Sequence, residues 1–148
     1  LNTQRINRTD AETIRLVVKN VDGGGSITTG AGVCLVQAGA SIDGVSAVNS
    51  TAATISGFGG VAKQDIAING YGQVTAWGYA ASVLVSHVGT SITITRGDTL
   101  KPGAVAGTFF SSLTNQALST LLYRYVKAAE TPAAVSAQVW IKGFVRGL

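Results

Sequence analysis

The chain is 148 residues long, carries a net charge of +4 and is only 12% charged, against roughly 25% in an ordinary soluble domain. Its mean hydropathy is +0.33, yet no apolar run approaches the ~20 residues of a membrane helix, and no basic stripe of the kind that binds nucleic acid is present. The length suits one domain with a real core, and a charge-poor, apolar chain needs an obligate oligomer or a larger assembly to cover its surface.

Residues 1–10 are expected to form an extended N-terminal arm, and 11–148 a single β domain. The opening LNTQRINRT is polar and basic and does not read as a signal peptide. The chain begins with Leu, which leaves room for an initiator methionine or a longer stretch ahead of it. Thr13 to Val21 alternates as a first strand, with Ile14, Leu16 and Val18 on one face. Asp22-Gly23-Gly24-Gly25 closes it. Gly32 to Gln37 is a short apolar strand ending at the turn Ala38-Gly39-Ala40. The single cysteine, Cys34, sits between Val33 and Leu35 and is expected to be a buried small hydrophobe. A weak strand runs from Val45 to Val48, and Asn49 to Thr54 is a loop.

Ser56 to Tyr79 is the stretch around which the rest is organised. Small and apolar residues from Phe58 to Ala62 give way to a polar corner, Lys63-Gln64-Asp65. Ile66-Ala67-Ile68 then leads to Asn69-Gly70, a pair that favours positive φ and a sharp reversal. In the strand that follows, Val74, Ala76 and Gly78 fall on one face, and Gln73, Thr75, Trp77 and Tyr79 on the other.

Ala80 to Val88 reads as a separate strand, with Val83 and Val85 facing one way and Leu84 the other. Ser91 to Thr95 alternates and ends at Arg96-Gly97-Asp98. Leu100 to Gly103 is expected to be a turn, because Pro102 fixes φ and Gly103 tolerates the corner. Ala104 to Phe110 is another short strand. Ser112 to Leu122 fits a short helix, capped by Ser112 or Thr114, or an irregular loop nearly as well. Tyr123 to Ala129 alternates, and Glu130 to Ala133 breaks the pattern. From Val135 to Val145, Val139, Ile141 and Val145 point one way, while Trp140, Lys142, Phe144 and Arg146 point the other. That second face suits a partner better than open water. Eight to ten short strands between glycine-rich turns indicate an all-β barrel or sandwich. Ser26 to Gly30 echoes Ser91 to Ile94 too briefly to indicate an internal repeat.

Chemistry is sparse. His87 is the single histidine, and no Gly-x-Ser-x-Gly elbow presents a nucleophile. The seven carboxylates are scattered without metal-ligand spacing. No phosphate-cradling glycine pattern occurs, and no cofactor is expected. Arg96-Gly97-Asp98 matches an adhesion tripeptide but also makes a good turn. The acceptor patterns at Asn7 and Asn49 read as loop sequence. The aromatics Trp77, Tyr79, Tyr123, Tyr125, Trp140 and Phe144 suit core and subunit contact, or else a platform for sugars.

Gly60-Val61-Ala62, Asp65-Ile66-Ala67, Gly70, Gly72, Val74 and Gly78-Tyr79 together resemble a signature of small capsid-associated proteins of tailed bacteriophages. The closing Val139 to Arg146 is similar to the last strand of such proteins. The turn Gly97-Asp98-Thr99-Leu100 and the early strand near Val17-Lys19-Asn20 fall in the same order. The resemblance implies a decoration, or cement, protein. Such proteins are made in the host cytoplasm and bound to the outside of the virion head, often as trimers, where they clamp neighbouring major capsid proteins. It implies no catalytic residues. Under it, Arg5 and Arg8 of the arm are expected to reach an adjacent capsid subunit, and Trp77, Tyr79, Trp140 and Phe144 to form a subunit or partner interface. A receptor- or glycan-binding fibre module is the alternative, with a tail or baseplate subunit beside it.

Overall fold

The longest element is a 15-residue strand, Tyr71–Val85, and every other strand is arranged around it. A computed structural model describes residues 13–37, 39, 43–51, 54–86, 94–103, 106–111, 126–132 and 138–146. The strands are β1 (Ile14–Asn20), β2 (Gly32–Leu35), β3 (Ser46–Asn49), β4 (Phe58–Ala62), β5 (Tyr71–Val85), β6 (Thr99–Pro102), β7 (Phe109–Ser111), β8 (Val126–Ala128) and β9 (Val139–Arg146). Among the described residues the helical structure is 3-10 only, at Ile55–Gly57 and at Gly39. The fold is all-β and a single domain, with nine strands among the described residues, within the eight to ten that the turn spacing predicts. The stretch 112–122, His87, Tyr123, Tyr125, Arg5 and Arg8 lie outside the described residues.

The nine strands form one sheet in the order β1-β3-β2-β4-β5-β7-β6-β8-β9, with further pairings β1–β5 and β5–β9. Those two extra pairings close two rings of five strands that share β5. The first half of β5 pairs with β1 from Tyr71 to Trp77, and the second half pairs with β9 from Trp77 to Val85. In each ring the first strand pairs with the third in parallel, and the other pairings are antiparallel. The two rings are therefore one topology used twice, with β5 closing the first unit and opening the second.

Individual hydrogen bonds repeat as well. Val21 N donates to Ala47 O at 2.9 Å, and Ser86 N donates to Phe109 O at 2.9 Å. Gly30 N donates to Ala62 O as Gly97 N does to Ala128 O, both at 2.8 Å. In this register Ile27 corresponds to Ile94, both buried, and Gly30 to Gly97, both with positive φ (84° and 95°). The brief echo in the sequence is thus the trace of a structural repeat, in a slightly different register: Ile27-Thr28-Thr29-Gly30 against Ile94-Thr95-Arg96-Gly97.

Two apolar cores follow. Val18, Val33, Val74, Ile27 and Ile66 fill the first unit. Leu100, Phe109, Val126, Ile141 and Val145 fill the second, joined by Cys34, Phe58 and Val61 from the first. All five residues of β4 are buried, because its two faces serve both cores. Phe58 and Phe109 meet edge to face across the join, with ring centres 5.8 Å apart. Gly60 makes this packing possible. Its φ is 147°, and an added Cβ would run into the Thr75 carbonyl of β5. The units are also tied by Leu84 N to Gly30 O and Gly32 N to Gly107 O, each 2.8 Å.

Several sequence expectations change. Ala80 to Val85 is not a separate strand but the second half of β5, which passes its small residues through a bulge between Ala80 and Val83. Val83, Leu84 and Val85 are all buried there. Thr75 is buried, although Gln73, Trp77 and Tyr79 of its face are exposed. Ile14 faces solvent, because a register shift separates it from Arg15. Leu100 to Pro102 is strand rather than turn. Pro102 ends β6, where a missing N–H is tolerated. The Asn69-Gly70 reversal stands, with Asn69 at φ 60°. The alternation of β9 also stands, with Ile141, Gly143 and Val145 buried between exposed neighbours.

Candidate binding face

The outer surface of β5 and β9 carries the aromatic side chains singled out by the sequence. Antiparallel pairing sets Tyr79 opposite Phe144 and Trp77 opposite Arg146. The Tyr79 and Phe144 rings meet at 5.9 Å and 64°. The Arg146 guanidinium lies 5.9 Å from the Trp77 ring centre, within reach of a cation–π attraction. Trp77, Tyr79 and Phe144 therefore form one cluster. All three are exposed, as is Trp140 at 54%. These rings give the outer sheet face an apolar character unlike that of an ordinary solvated sheet.

Trp140 stands apart from that cluster. Lys142 comes between it and Phe144, with its ammonium 3.5 Å from Glu130 Oε2. The Trp140 indole N–H donates to Thr29 O at 3.0 Å, so this ring also fastens the second unit to a loop of the first. Sequence reasoning missed Val17 (59% exposed) and Tyr71 (63%), which extend the apolar surface along the first unit. Tyr71 occupies the place in β5 that Trp140 occupies in β9, a correspondence that strand pairing reveals and the sequence does not.

Two hollows flank the cluster. The first, about 210 Å³, is bordered by Thr13, Arg15, Lys63, Thr75, Tyr79 and Ser82. The second, about 220 Å³, is bordered by Trp77, Gly78, Lys127, Phe144, Val145 and Arg146.

The carboxylates with clearly shifted pKa values hold loops. Asp65 accepts Thr29 Oγ1 at 2.7 Å and Thr29 N at 2.6 Å, and these bonds hold its pKa below the ordinary value. Backbone N–H groups of Ser46 and Val45 do the same for Asp43. Partial burial pushes Asp22 up, but its bonds from Gly24 and Asn49 outweigh that and leave it lowered. Burial pushes the Cys34 thiol up, which makes it a poor nucleophile. Asp98 accepts Thr95 N at 2.9 Å, so Arg96-Gly97-Asp98 closes a turn. Asn49 lies in β3, with its side-chain amide donating to Asp22 at 2.9 Å. Among the described residues no three His, Cys, Asp or Glu side chains are grouped to hold a metal ion.

No family model matches the chain, and no curated protein matches its sequence. Among solved structures, the head fiber gp8.5 N base of bacteriophage phi29 is similar. The likeness has a TM-score of 0.53 at 18% sequence identity and covers 92% of this chain and 97% of that one. At that identity, what the two chains share is the fold, over nearly their whole lengths.

Proposed function

We propose that the chain is a structural protein of the outer surface of a tailed-phage head, acting as the base of a head-attached projection. It is not an enzyme. The observation that carries this reading is the fold shared with a head-fibre base across nearly the full length of both chains. The charge-poor body and the exposed ring cluster support it, since both suit a protein that works by contact. A fibre base accounts for that surface better than a cement role alone, because its outer face must meet something beyond the capsid. A decorating role is compatible with the same attachment.

Attachment to the major capsid protein falls to the arm, with Arg5 and Arg8 as its cations. A homo-oligomer, with a trimer favoured, multiplies individually weak contacts. Linked sites can exceed single-site affinity by about 10²–10⁴-fold. Trp77, Tyr79, Phe144 and, beyond Lys142, Trp140 form the contact surface for a partner.

The test is co-sedimentation with empty heads, alongside solution mass by light scattering. An oligomer that pellets with heads, and that loses attachment but not its mass when residues 1–9 are removed, is the expected result. A monomer that stays in the supernatant would overturn the reading. Undiminished attachment by the truncated chain would remove the arm from it.

A further inference from the structure

We propose that the two hollows beside the ring cluster bind successive units of an anionic glycan. The hollows occupy the same place in the internal repeat. The first lies on β1, β4 and β5, and the second on β5, β8 and β9. By strand register Thr75 of the first corresponds to Phe144 of the second, and Val61 to Lys127. A repeated backbone explains a repeated hollow, but it does not explain the charges. Among the described residues each hollow has two cations, Arg15 and Lys63 in one and Lys127 and Arg146 in the other, and no described carboxylate borders either. The cations do not sit at corresponding positions, so each pair arises on its own. Lys142, the cation beside a carboxylate, borders neither.

The remaining lining fits sugar chemistry. Trp77 and Phe144 offer flat apolar faces in the second hollow. Thr13 and Ser82 offer hydroxyls in the first, with the buried Thr75 behind them. Tyr79 borders the first hollow and packs on Phe144 of the second, so the two form one strip across the sheet. At about 210 and 220 Å³ each lies below the roughly 300–1,000 Å³ of sites for drug-sized ligands. That leaves room for one sugar ring in each. Aromatic faces take the apolar side of the ring, hydroxyls take its hydroxyls, and cations select a unit bearing a carboxylate or phosphate. The inference rests on the head-surface reading in one respect: a protein on the outside of a virion meets glycans directly.

The test is calorimetric titration of the whole chain with tetragalacturonate, with maltotetraose, galacturonate and inorganic phosphate as comparisons. The tetramer should bind well above all three. Lys63→Ala and Arg146→Ala should each weaken it roughly tenfold, the scale of one lost charge-assisted hydrogen bond, with thermal unfolding unchanged. Equal binding of maltotetraose, or of phosphate alone, would overturn the glycan assignment. So would a Lys63→Ala chain that binds as the original does, or an Arg146→Ala change that alters solution mass instead, since the strip would then be an interface between copies. If tetragalacturonate fails to bind while the chain still pellets with heads, the glycan proposal falls and the head-surface reading stands. Binding without attachment to heads would separate them the other way.

Discussion

The two five-strand units have one topology and two different interiors. At the position where the parallel pairing begins, the first unit has Asn20 and the second has Val85. Both are fully buried. The Asn20 amide donates to Gly25 O at 3.0 Å and Ile66 O at 2.9 Å, while its Oδ1 accepts Asp22 N at 2.8 Å. The first unit is thus pinned by hydrogen bonds around small apolar side chains. The second is filled by Phe109, Leu100 and Ile141 and carries the exposed Trp140 and Phe144. The comparison teaches that pairing order and in–out alternation maintain this topology, while the filling is free to diverge and the outer face to take on binding.

Because β5 belongs to both units, damage to either should be felt by the whole molecule. Phe109→Ala removes the largest fully buried side chain and should cost about 3–5 kcal/mol. Circular dichroism and the fluorescence of Trp77 and Trp140 should still report a single transition at a lower temperature. Two separate transitions would break the picture of one cooperative body. Asn20→Ala strikes the other unit: it takes a donor from the part-buried Gly25 O and from Ile66 O, which keeps its bond from Ile27 N, and takes the acceptor from Asp22 N. A loss of roughly 1–3 kcal/mol is expected, again in one transition shared by both probes.

A smaller effect concerns acid. The Asp65 pKa is lowered in the fold from an ordinary 3.8. The unfolded chain therefore binds the proton first, and the stability from this carboxylate, present above 3.8, is lost as pH falls through the folded value. Thr29→Val removes the hydroxyl bond. It should raise the Asp65 pKa toward ordinary and move the acid-unfolding midpoint slightly upward, as read in a pH titration of ellipticity. An unchanged midpoint would deny the bond any role. The smallest effect belongs to Ser50, whose buried hydroxyl has no hydrogen-bond partner. Ser50→Ala should be neutral or mildly stabilising in chemical denaturation. A clear loss of stability would show that the hydroxyl is satisfied.

The sequence made β9 legible because its buried and exposed residues alternate without a break. It hid the continuity of β5, because Ala80, Ala81 and Ser82 pass through a bulge and leave the pattern. It hid the burial of Thr75 among the exposed Gln73, Trp77 and Tyr79 for another reason: no local pattern reports a neighbour in space. The repeat was nearly invisible, since corresponding positions such as Asn20 and Val85, or Thr75 and Phe144, share no chemistry. Identity survives at scattered positions, such as Ile27 with Ile94, Gly30 with Gly97 and Ala62 with Ala128, at buried or positive-φ places. The ring cluster could be read from spacing along single strands. The hollows could not, because each is bordered by residues from strands far apart in the chain.

The most direct measurement is cryo-electron microscopy of virions that carry this chain. The account predicts density for the double-ring body on the outer head surface, bound across neighbouring capsid subunits with the Trp77–Phe144 strip turned away from the shell. Density confined to the tail, or a head surface bare of it, would contradict the account.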